Sequence, residues 1–144
     1  MQVFVVCTDL NRSIAFYRNT LGAKLKSESE NGAFFTLGNL SLCLKLASKV
    51  TLHDRDTLLV FSCTESTFDY TANHIAETAK QWKTEDSIGK SLFFLDPDGH
   101  KFELHASDVH SCLKTCEQNR PKDLHFYHWN SILLFLEHEN EHLS

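Results

Sequence analysis

The chain has 144 residues, 42% of them hydrophobic, which favours one domain with a sizeable core. Fourteen Lys and Arg against nineteen Asp and Glu give a net charge of −5, and no basic patch stands out, so nucleic acid is not an expected partner. The longest apolar run, residues 132–136, is too short to span a bilayer, so no membrane association is expected.

The five cysteines argue for a reducing compartment. None forms a CxxC pair, and Cys7, Cys43 and Cys63 lie in apolar, strand-like runs, which is typical of small buried hydrophobic side chains. Met1 leads directly into a predicted strand, so no signal peptide is expected. The expected location is therefore cytoplasmic.

The first part of the chain is predicted to form a β-α-β-β-β unit. Residues 3–7 contain no polar side chain, which is typical of a strand buried on both faces. After them, Leu10, Ile14 and Tyr17 recur at helical spacing, and Gly22 provides a stop signal. Three strands separated by Gly-containing turns complete the unit: 24–30, 33–37 and 40–46.

The same order of elements returns further along the chain. It comprises a strand at 57–63, a helix at 67–81, a short strand at 82–84 and a hairpin from 91 to 106. Two copies of one unit indicate an internal repeat, and two such units can pack into a curved mixed sheet around a cavity. The predicted fold class is therefore α+β. The predicted domain spans 1–118, with module one at about 1–46, module two at about 57–106 and a closing helix at 107–117, followed by a C-terminal extension at 119–144.

The hairpin carries the most informative pattern. Residues 91–95 are apolar and aromatic, and residues 96–99 (Asp-Pro-Asp-Gly) have the chemistry of a tight turn. On the return strand, alternation places Lys101, Glu103 and His105 on one face. Two interpretations of this polar face remain open: it faces water, or it lines a concave binding site.

Four sequence motifs of the chain occur together in one known protein superfamily. They are SIAFYR with LG within 13–22, LCL at 42–44, WK at 82–83, and FLDPDGH at 94–100 followed by Glu103. Through them, residues 2–116 resemble the vicinal-oxygen-chelate superfamily of glyoxalases, bleomycin-resistance proteins and ring-cleaving dioxygenases. Within that superfamily, the resemblance is strongest to the fosfomycin-resistance glutathione transferases.

The resemblance implies both an assembly and a chemistry. The assembly would be a domain-swapped homodimer of paired β-α-β-β-β modules. A divalent metal, typically Mn²⁺, would be held by two His and one Glu and would polarise the epoxide oxygen of a phosphonate antibiotic, while glutathione or another thiol opens the ring. The implied function is a metal-dependent thiol (glutathione) transferase that confers antibiotic resistance.

The metal-ligand positions of the family are only partly matched. Glu103 falls on the carboxylate ligand of the resembled family. Gln2 falls on the first histidine position and can ligate through its carbonyl oxygen, whereas Leu58 falls on the second histidine position and cannot ligate. His105, on the same strand face as Glu103, and His100 are alternative ligands.

The substrate positions implied by the resemblance are Lys83, Ser87 and Ser91. An ammonium group and two hydroxyls suit a phosphonate dianion. The loop that binds a monovalent cation (K⁺) in the family keeps Gly89 but has Ile88 where an acidic residue is usual, which departs from a K⁺ site.

Two functional hypotheses follow from these matches. The first is a fosfomycin-resistance-type thiol transferase that acts on a phosphonate epoxide with the help of a metal. The second is a degenerate, metal-free member of the superfamily that binds a small molecule or a partner without catalysis. The shared sequence motifs favour the first hypothesis. Leu58 favours the second, because it cannot bind a metal.

Overall fold

The computed structural model describes residues 1–52, 58–83 and 90–106. The chain divides into two units, Met1–Val109 and His110–Ser144, and every described residue belongs to the first unit. The predicted closing helix and C-terminal extension lie outside the described residues. Within the described part of the chain, no helix is long and apolar enough to cross a membrane.

The described residues form eight strands, two α-helices and a π-helical segment. In chain order they are β1 (Gln2–Cys7), α1 (Leu10–Ala15), the π-helical segment (Phe16–Thr20), β2 (Lys24–Ser29), β3 (Gly32–Leu37), β4 (Leu40–Leu46), β5 (Leu59–Ser62), α2 (Glu65–Ala76), β6 (Lys80–Lys83), β7 (Ser91–Leu95) and β8 (Lys101–His105).

Each predicted module builds one four-stranded mixed sheet, and the two sheets have the same strand order. The first sheet has the order β1-β4-β3-β2 and the second has the order β5-β8-β7-β6. In both, the first strand of the module pairs in parallel with the last strand, and the remaining neighbours are antiparallel. The predicted α+β fold and its internal repeat are confirmed.

Local sequence signals explain where α1 begins and where the helical region ends. Asp9 is the N-cap, and its side chain accepts a hydrogen bond of 3.0 Å from the backbone N–H of Arg12. Ile14 and Tyr17 are buried, as their helical spacing predicts. Gly22 has a φ of +71°, a conformation that glycine adopts without steric cost, so the chain turns there into β2.

One hydrophobic core joins the first helical region to the second sheet. The rings of Phe94 and Phe102 stack with centroids 5.4 Å apart. Phe16 lies 6.5 Å from Phe94 and Tyr17 lies 6.2 Å from Phe102, so aromatic side chains of module one pack on module two. This packing fixes the core-facing side of the second sheet, and Glu103 lies on the opposite face.

Two element predictions were wrong. β1 is not buried on both faces: Val5 and Cys7 are buried, whereas Phe4 is 69% exposed, because the core covers only the face that carries Val5 and Cys7. The second helix ends at Ala76 rather than near residue 81, because the chain enters β6 at Lys80.

Candidate functional site

The face of the second sheet opposite the core carries the predicted polar side chains. In the antiparallel pairing of β7 with β8, Glu103 lies opposite Phe93 and Ser91 lies opposite His105. Residues directly opposite each other share a face of the sheet. The neighbouring β8 residues Phe102 and Leu104 are buried on the core side, so the predicted alternation of the hairpin is confirmed.

Glu103 is held in a short hydrogen-bonded group. Ser91 Oγ donates to Glu103 Oε1 over 2.7 Å and lies 2.7 Å from His105 Nδ1. His105 Nδ1 is 3.5 Å from Glu103 Oε1, and the two side chains are 16% and 12% exposed. The sequence placed Glu103 and His105 on one face, but it did not indicate that Ser91 joins them.

The hydrogen bonds of this group bear on which ring nitrogen of His105 carries a proton. A serine hydroxyl has one proton, and a carboxylate is the stronger acceptor because the hydrogen bond is charge-assisted. With the Ser91 proton directed to Glu103, the 2.7 Å contact is a hydrogen bond when His105 Nδ1 carries a proton and donates it to Ser91 Oγ. In a neutral His105, the Nε2 atom is then the nitrogen with a free lone pair, which can accept a proton or bind a cation.

Lys83 belongs to an aromatic and cationic patch on the same sheet. Its ammonium nitrogen lies 5.1 Å from the centroid of the Phe93 ring. Trp82 packs edge-on against Phe93 with centroids 5.4 Å apart, and the Lys101 ammonium lies 4.9 Å from the Trp82 ring. Both contacts are within the range of cation–π attraction. The third predicted substrate residue, Ser87, lies outside the described residues.

The two other predicted metal-ligand positions are Gln2, at the start of β1, and Leu58, just before β5. Gln2 lies in the first sheet, where its Nε2 atom donates to Cys43 Sγ at 3.3 Å, and no hydrogen bond or ion pair connects it to Glu103 within the described ranges. Leu58, 36% exposed and just before β5, has no ligating atom.

A search of residues 1–52, 58–83 and 90–106 finds no group of three His, Cys, Asp or Glu side chains that could hold a metal ion. The donor set that these residues present therefore does not fit the three-ligand Mn²⁺ site that the resemblance implies. Ile88 and Gly89, which bear on the K⁺ expectation, lie outside the described residues.

Sequence reasoning missed a buried polar network at the hairpin turn. Asp96 Oδ1 accepts hydrogen bonds from the backbone N–H groups of Asp98 and His100, which the turn chemistry indicated. Its Oδ2 atom accepts a 2.7 Å hydrogen bond from the Tyr17 hydroxyl, 79 residues away. Burial raises the pKa of Asp96, because these hydrogen bonds only partly offset desolvation of the carboxylate.

Comparisons with known proteins agree with this architecture. Residues 2–104 match the Glyoxalase/Bleomycin resistance protein/Dioxygenase superfamily. The chain is 31% identical to the metallothiol transferase FosB of Staphylococcus saprophyticus, over 87% of each chain. It is 33% identical to the glutathione transferase FosA of Serratia marcescens, over 77% of this chain and 82% of the relative.

Solved structures extend the likeness to three dimensions. The crystal structure of the fosfomycin resistance protein FosX from Listeria monocytogenes, complexed with Mn(II) and sulfate, has a TM-score of 0.69 and 26% identity. The match covers 80% of this chain and 94% of that protein. From the sequence match, the repeated sheet topology and this structural likeness, the chain belongs to the Glyoxalase/Bleomycin resistance protein/Dioxygenase superfamily, with Fos proteins among its relatives.

Proposed function

We propose that this chain is a Fos-type protein that binds a small molecule on the Glu103 face of the second sheet without a resident metal. The observation that supports the proposal most directly is the apolar side chain of Leu58 where the resemblance requires a ligating histidine. Gln2, the other altered position, is hydrogen-bonded to Cys43. Glu103 Oε1 accepts a hydrogen bond from Ser91 and lies 3.5 Å from His105 Nδ1, so this oxygen has partners other than a cation.

The face has the chemistry to recognise an anionic ligand. Lys83 supplies an ammonium group beside Phe93, whereas the Ser91 proton is donated to Glu103, so Lys83 is the group of this face that attracts an anion. Together with Ser87, these are the residues that the resemblance assigns to the phosphonate. Fosfomycin, a phosphonate epoxide, is therefore the probe for this site.

A metal titration followed by a ligand titration tests the proposal. In calorimetry, Mn²⁺ should show no site tighter than about 0.1 mM, near −5.5 kcal/mol. The double variant Gln2→His with Leu58→His should gain Mn²⁺ affinity, since it restores two imidazoles. A tight Mn²⁺ site in the unmodified chain would overturn the metal-free proposal.

In metal-free buffer, fosfomycin binding should weaken by about tenfold in Lys83→Ala, corresponding to about 1.4 kcal/mol. The matched control is Lys24→Ala, an exposed lysine on β2 of the other sheet, which should bind fosfomycin like the parent chain. Equal affinity in the parent, Lys83→Ala and Lys24→Ala would remove Lys83 from the site.

A thiol transferase is the second candidate function, and the identity of 31–33% to enzymes named metallothiol and glutathione transferases supports it. In that reaction the thiolate forms a C–S bond at an epoxide carbon, the C–O bond breaks, and the freed oxygen takes a proton. Phosphorus NMR of fosfomycin with glutathione detects the adduct. A product that forms with the parent chain and disappears in Glu103→Gln would favour this candidate over the metal-free binder.

The homodimer and the cytoplasmic location also belong to this proposal. The homodimer is supported by the open sheet faces of the chain, on which Phe4 is 69% and Val60 is 52% exposed. The cytoplasmic location is supported by cysteine usage, since Cys7, Cys43 and Cys63 are all free thiols.

A further inference from the structure

The turn between β2 and β3 carries an exposed asparagine that is followed directly by a glycine, Asn31-Gly32. Asn31 is the last residue of the turn, and β3 begins at Gly32. The pairing of β2 with β3 ends at Ser29 with Gly32, and β2 is the outer strand of the first sheet. The turn therefore lies at an outer corner of the sheet, where local opening costs less than in the middle of the ladder.

The side chain of an asparagine in such a turn can react with the backbone of the next residue. The backbone nitrogen of Gly32 attacks Cγ of Asn31, a C–N bond forms, and the Cγ–NH2 bond breaks as ammonia leaves with the displaced proton. Water then opens the cyclic imide at either of its carbonyl groups, which gives aspartate or isoaspartate. The net reaction consumes water and releases ammonia.

Gly32 makes this attack easier than another residue would. It has no Cβ to obstruct the approach of its nitrogen to the Asn31 side chain, and its backbone has the widest conformational freedom. The packing of the sheet also requires glycine at this position, because a Cβ added to Gly32 would lie 2.6 Å from the Leu44 carbonyl oxygen. The close approach that favours glycine for the fold therefore leaves Asn31 beside the least hindered neighbour.

The turn between β3 and β4 offers a direct comparison within the same sheet. Asn39 occupies the same place there, since it is exposed and is the last turn residue before β4. The residue that follows it is Leu40, whose side chain hinders attack by its backbone nitrogen. The two turns therefore differ in the residue after the asparagine, whereas the exposure of the asparagine and its place in the turn are shared.

We propose that Asn31 is a site of spontaneous deamidation, which converts the β2–β3 turn to aspartate and isoaspartate as the protein ages. The product places a negative charge next to Glu30 in the same turn. In isoaspartate the peptide bond to Gly32 runs through Cγ, so the Asn31 carbonyl group that accepts a 2.8 Å hydrogen bond from the Leu46 N–H leaves the main chain. Deamidation therefore loosens the turn from the end of β4. The site does not depend on the function proposed for the Glu103 face.

Peptide mapping of the aged full-length protein tests the site. Trypsin cuts after Lys26 and Lys45, so both asparagines fall within the peptide 27–45 and tandem mass spectrometry measures them in the same fragment. After incubation at neutral pH and body temperature, Asn31 should deamidate at least about tenfold faster than Asn39. A fresh sample digested in parallel gives the background that arises during digestion.

Two glutamine variants separate the site from general ageing of the chain. Asn31→Gln should block the reaction, because attack on the longer side chain would have to close a larger ring, and thermal unfolding confirms that the variant is folded. Asn39→Gln is the matched control and should keep the rate at Asn31 within about twofold of the parent value. On ageing, the midpoint of urea unfolding should fall in the parent chain and stay unchanged in Asn31→Gln.

Equal rates of deamidation at Asn31 and Asn39 in the folded protein would overturn the proposal. So would an intact Asn31 after a period in which the guanidinium-unfolded chain is converted, because the folded turn would then protect its side chain. An aged parent chain that carries isoaspartate at residue 31 but unfolds like the fresh protein would overturn the loosening of the turn.

Discussion

At the scale of single residues, the contact between Tyr17 and Asp96 connects the helical region of module one to the turn of module two. The Tyr17 hydroxyl is fully buried and donates to Asp96 Oδ2 over 2.7 Å. Removal of one partner from a buried hydrogen bond leaves the other without compensation for its lost hydration. Loss of either partner is therefore expected to destabilise the fold, because the other partner remains buried without a hydrogen bond.

Tyr17→Phe should lower the free energy of unfolding by about 1–3 kcal/mol, because the Asp96 carboxylate then loses a donor in a buried site. Urea unfolding at constant pH measures the change. Tyr70→Phe is the matched control: Tyr70 is 81% exposed on α2, and its substitution should change stability by no more than about 0.5 kcal/mol. Equal effects of the two substitutions would show that the buried hydrogen bond contributes nothing.

The raised pKa of Asp96 gives stability a defined pH dependence. Burial lifts its native pKa above the ordinary value of 3.8, so between these two values the native state binds more protons than the unfolded chain. The stability linked to a protonated Asp96 is present below about pH 3.8 and is lost as pH rises through the native pKa.

Asp96→Asn removes this titration and keeps the shape of the side chain. The free energy of unfolding of the parent chain, relative to that of Asp96→Asn, should therefore fall as pH rises from about 4 towards neutrality. Urea unfolding of both proteins over this range measures the difference. His100, Asp98 and Cys7 also lie near Asp96, but they are present in both proteins, so parallel stability curves would contradict the assignment to Asp96.

Some features of single residues could be predicted from the sequence, and others could not. The alternation of Lys101, Glu103 and His105 could be predicted because strand periodicity is local. The bond between Tyr17 and Asp96 could not, because it joins residues 79 positions apart and has no local signature. Similarly, the family resemblance marked Gln2 as a ligand candidate but did not indicate its contact with Cys43, which depends on the pairing of β1 with β4.

At the scale of elements, the turn between β7 and β8 docks onto the junction of β1 with α1. Asp98 accepts a 2.6 Å hydrogen bond from Thr8 Oγ1 and lies 3.4 Å from Arg12 Nη2. Its side chain is 4% exposed, whereas that of Arg12 is 51% exposed. The hydrogen bonds to a buried carboxylate therefore matter more here than the ion pair with a half-exposed arginine.

Asp98→Ala should lower the free energy of unfolding by about 1–3 kcal/mol, because the fully buried Ser13 hydroxyl, 3.4 Å from Asp98, loses its acceptor together with Thr8. Asp69→Ala is the matched control: the Asp69 side chain is 74% exposed and pairs with Lys90 at 3.2 Å. Such a surface pair contributes little, so this variant should stay within about 0.5 kcal/mol of the parent. Thermal and urea unfolding of both variants check the contrast, and an unchanged stability of Asp98→Ala would contradict the docking role.

The ends of helices and strands could be predicted where a capping residue or a glycine marks them. Asp9 marks the start of α1 through its cap, and Gly22 and Gly99 mark turns through their positive φ of +71° and +91°. The end of α2 was not predictable in this way, because its helical apolar spacing continues to Ala79 although the chain enters β6 at Lys80. Pairing of β6 with β7, a long-range contact, decides that boundary.

At the scale of the whole molecule, the repeated strand order of the two sheets was predictable from the repeated pattern of the sequence. The way in which the modules share a core was not, because it depends on aromatic contacts between distant segments such as Phe16 with Phe94. This shared core covers one face of each sheet. The opposite face of the first sheet retains Phe4 at 69% exposure, which is a large apolar side chain to leave in water.

The proposed homodimer would cover Phe4, and its burial would contribute about 1.5–3 kcal/mol per side chain. The parent chain should therefore sediment as a dimer, and Phe4→Glu should weaken the dimer by at least tenfold, about 1.4 kcal/mol, because association would desolvate a charge. Tyr70→Glu is the matched control, since it places the same charge on α2 at a side chain that is 81% exposed and should leave the dimer intact. Sedimentation over a range of protein concentrations measures the dissociation constants. A monomeric parent chain would contradict the dimer itself, whereas a dimer equally stable in Phe4→Glu would place the interface elsewhere.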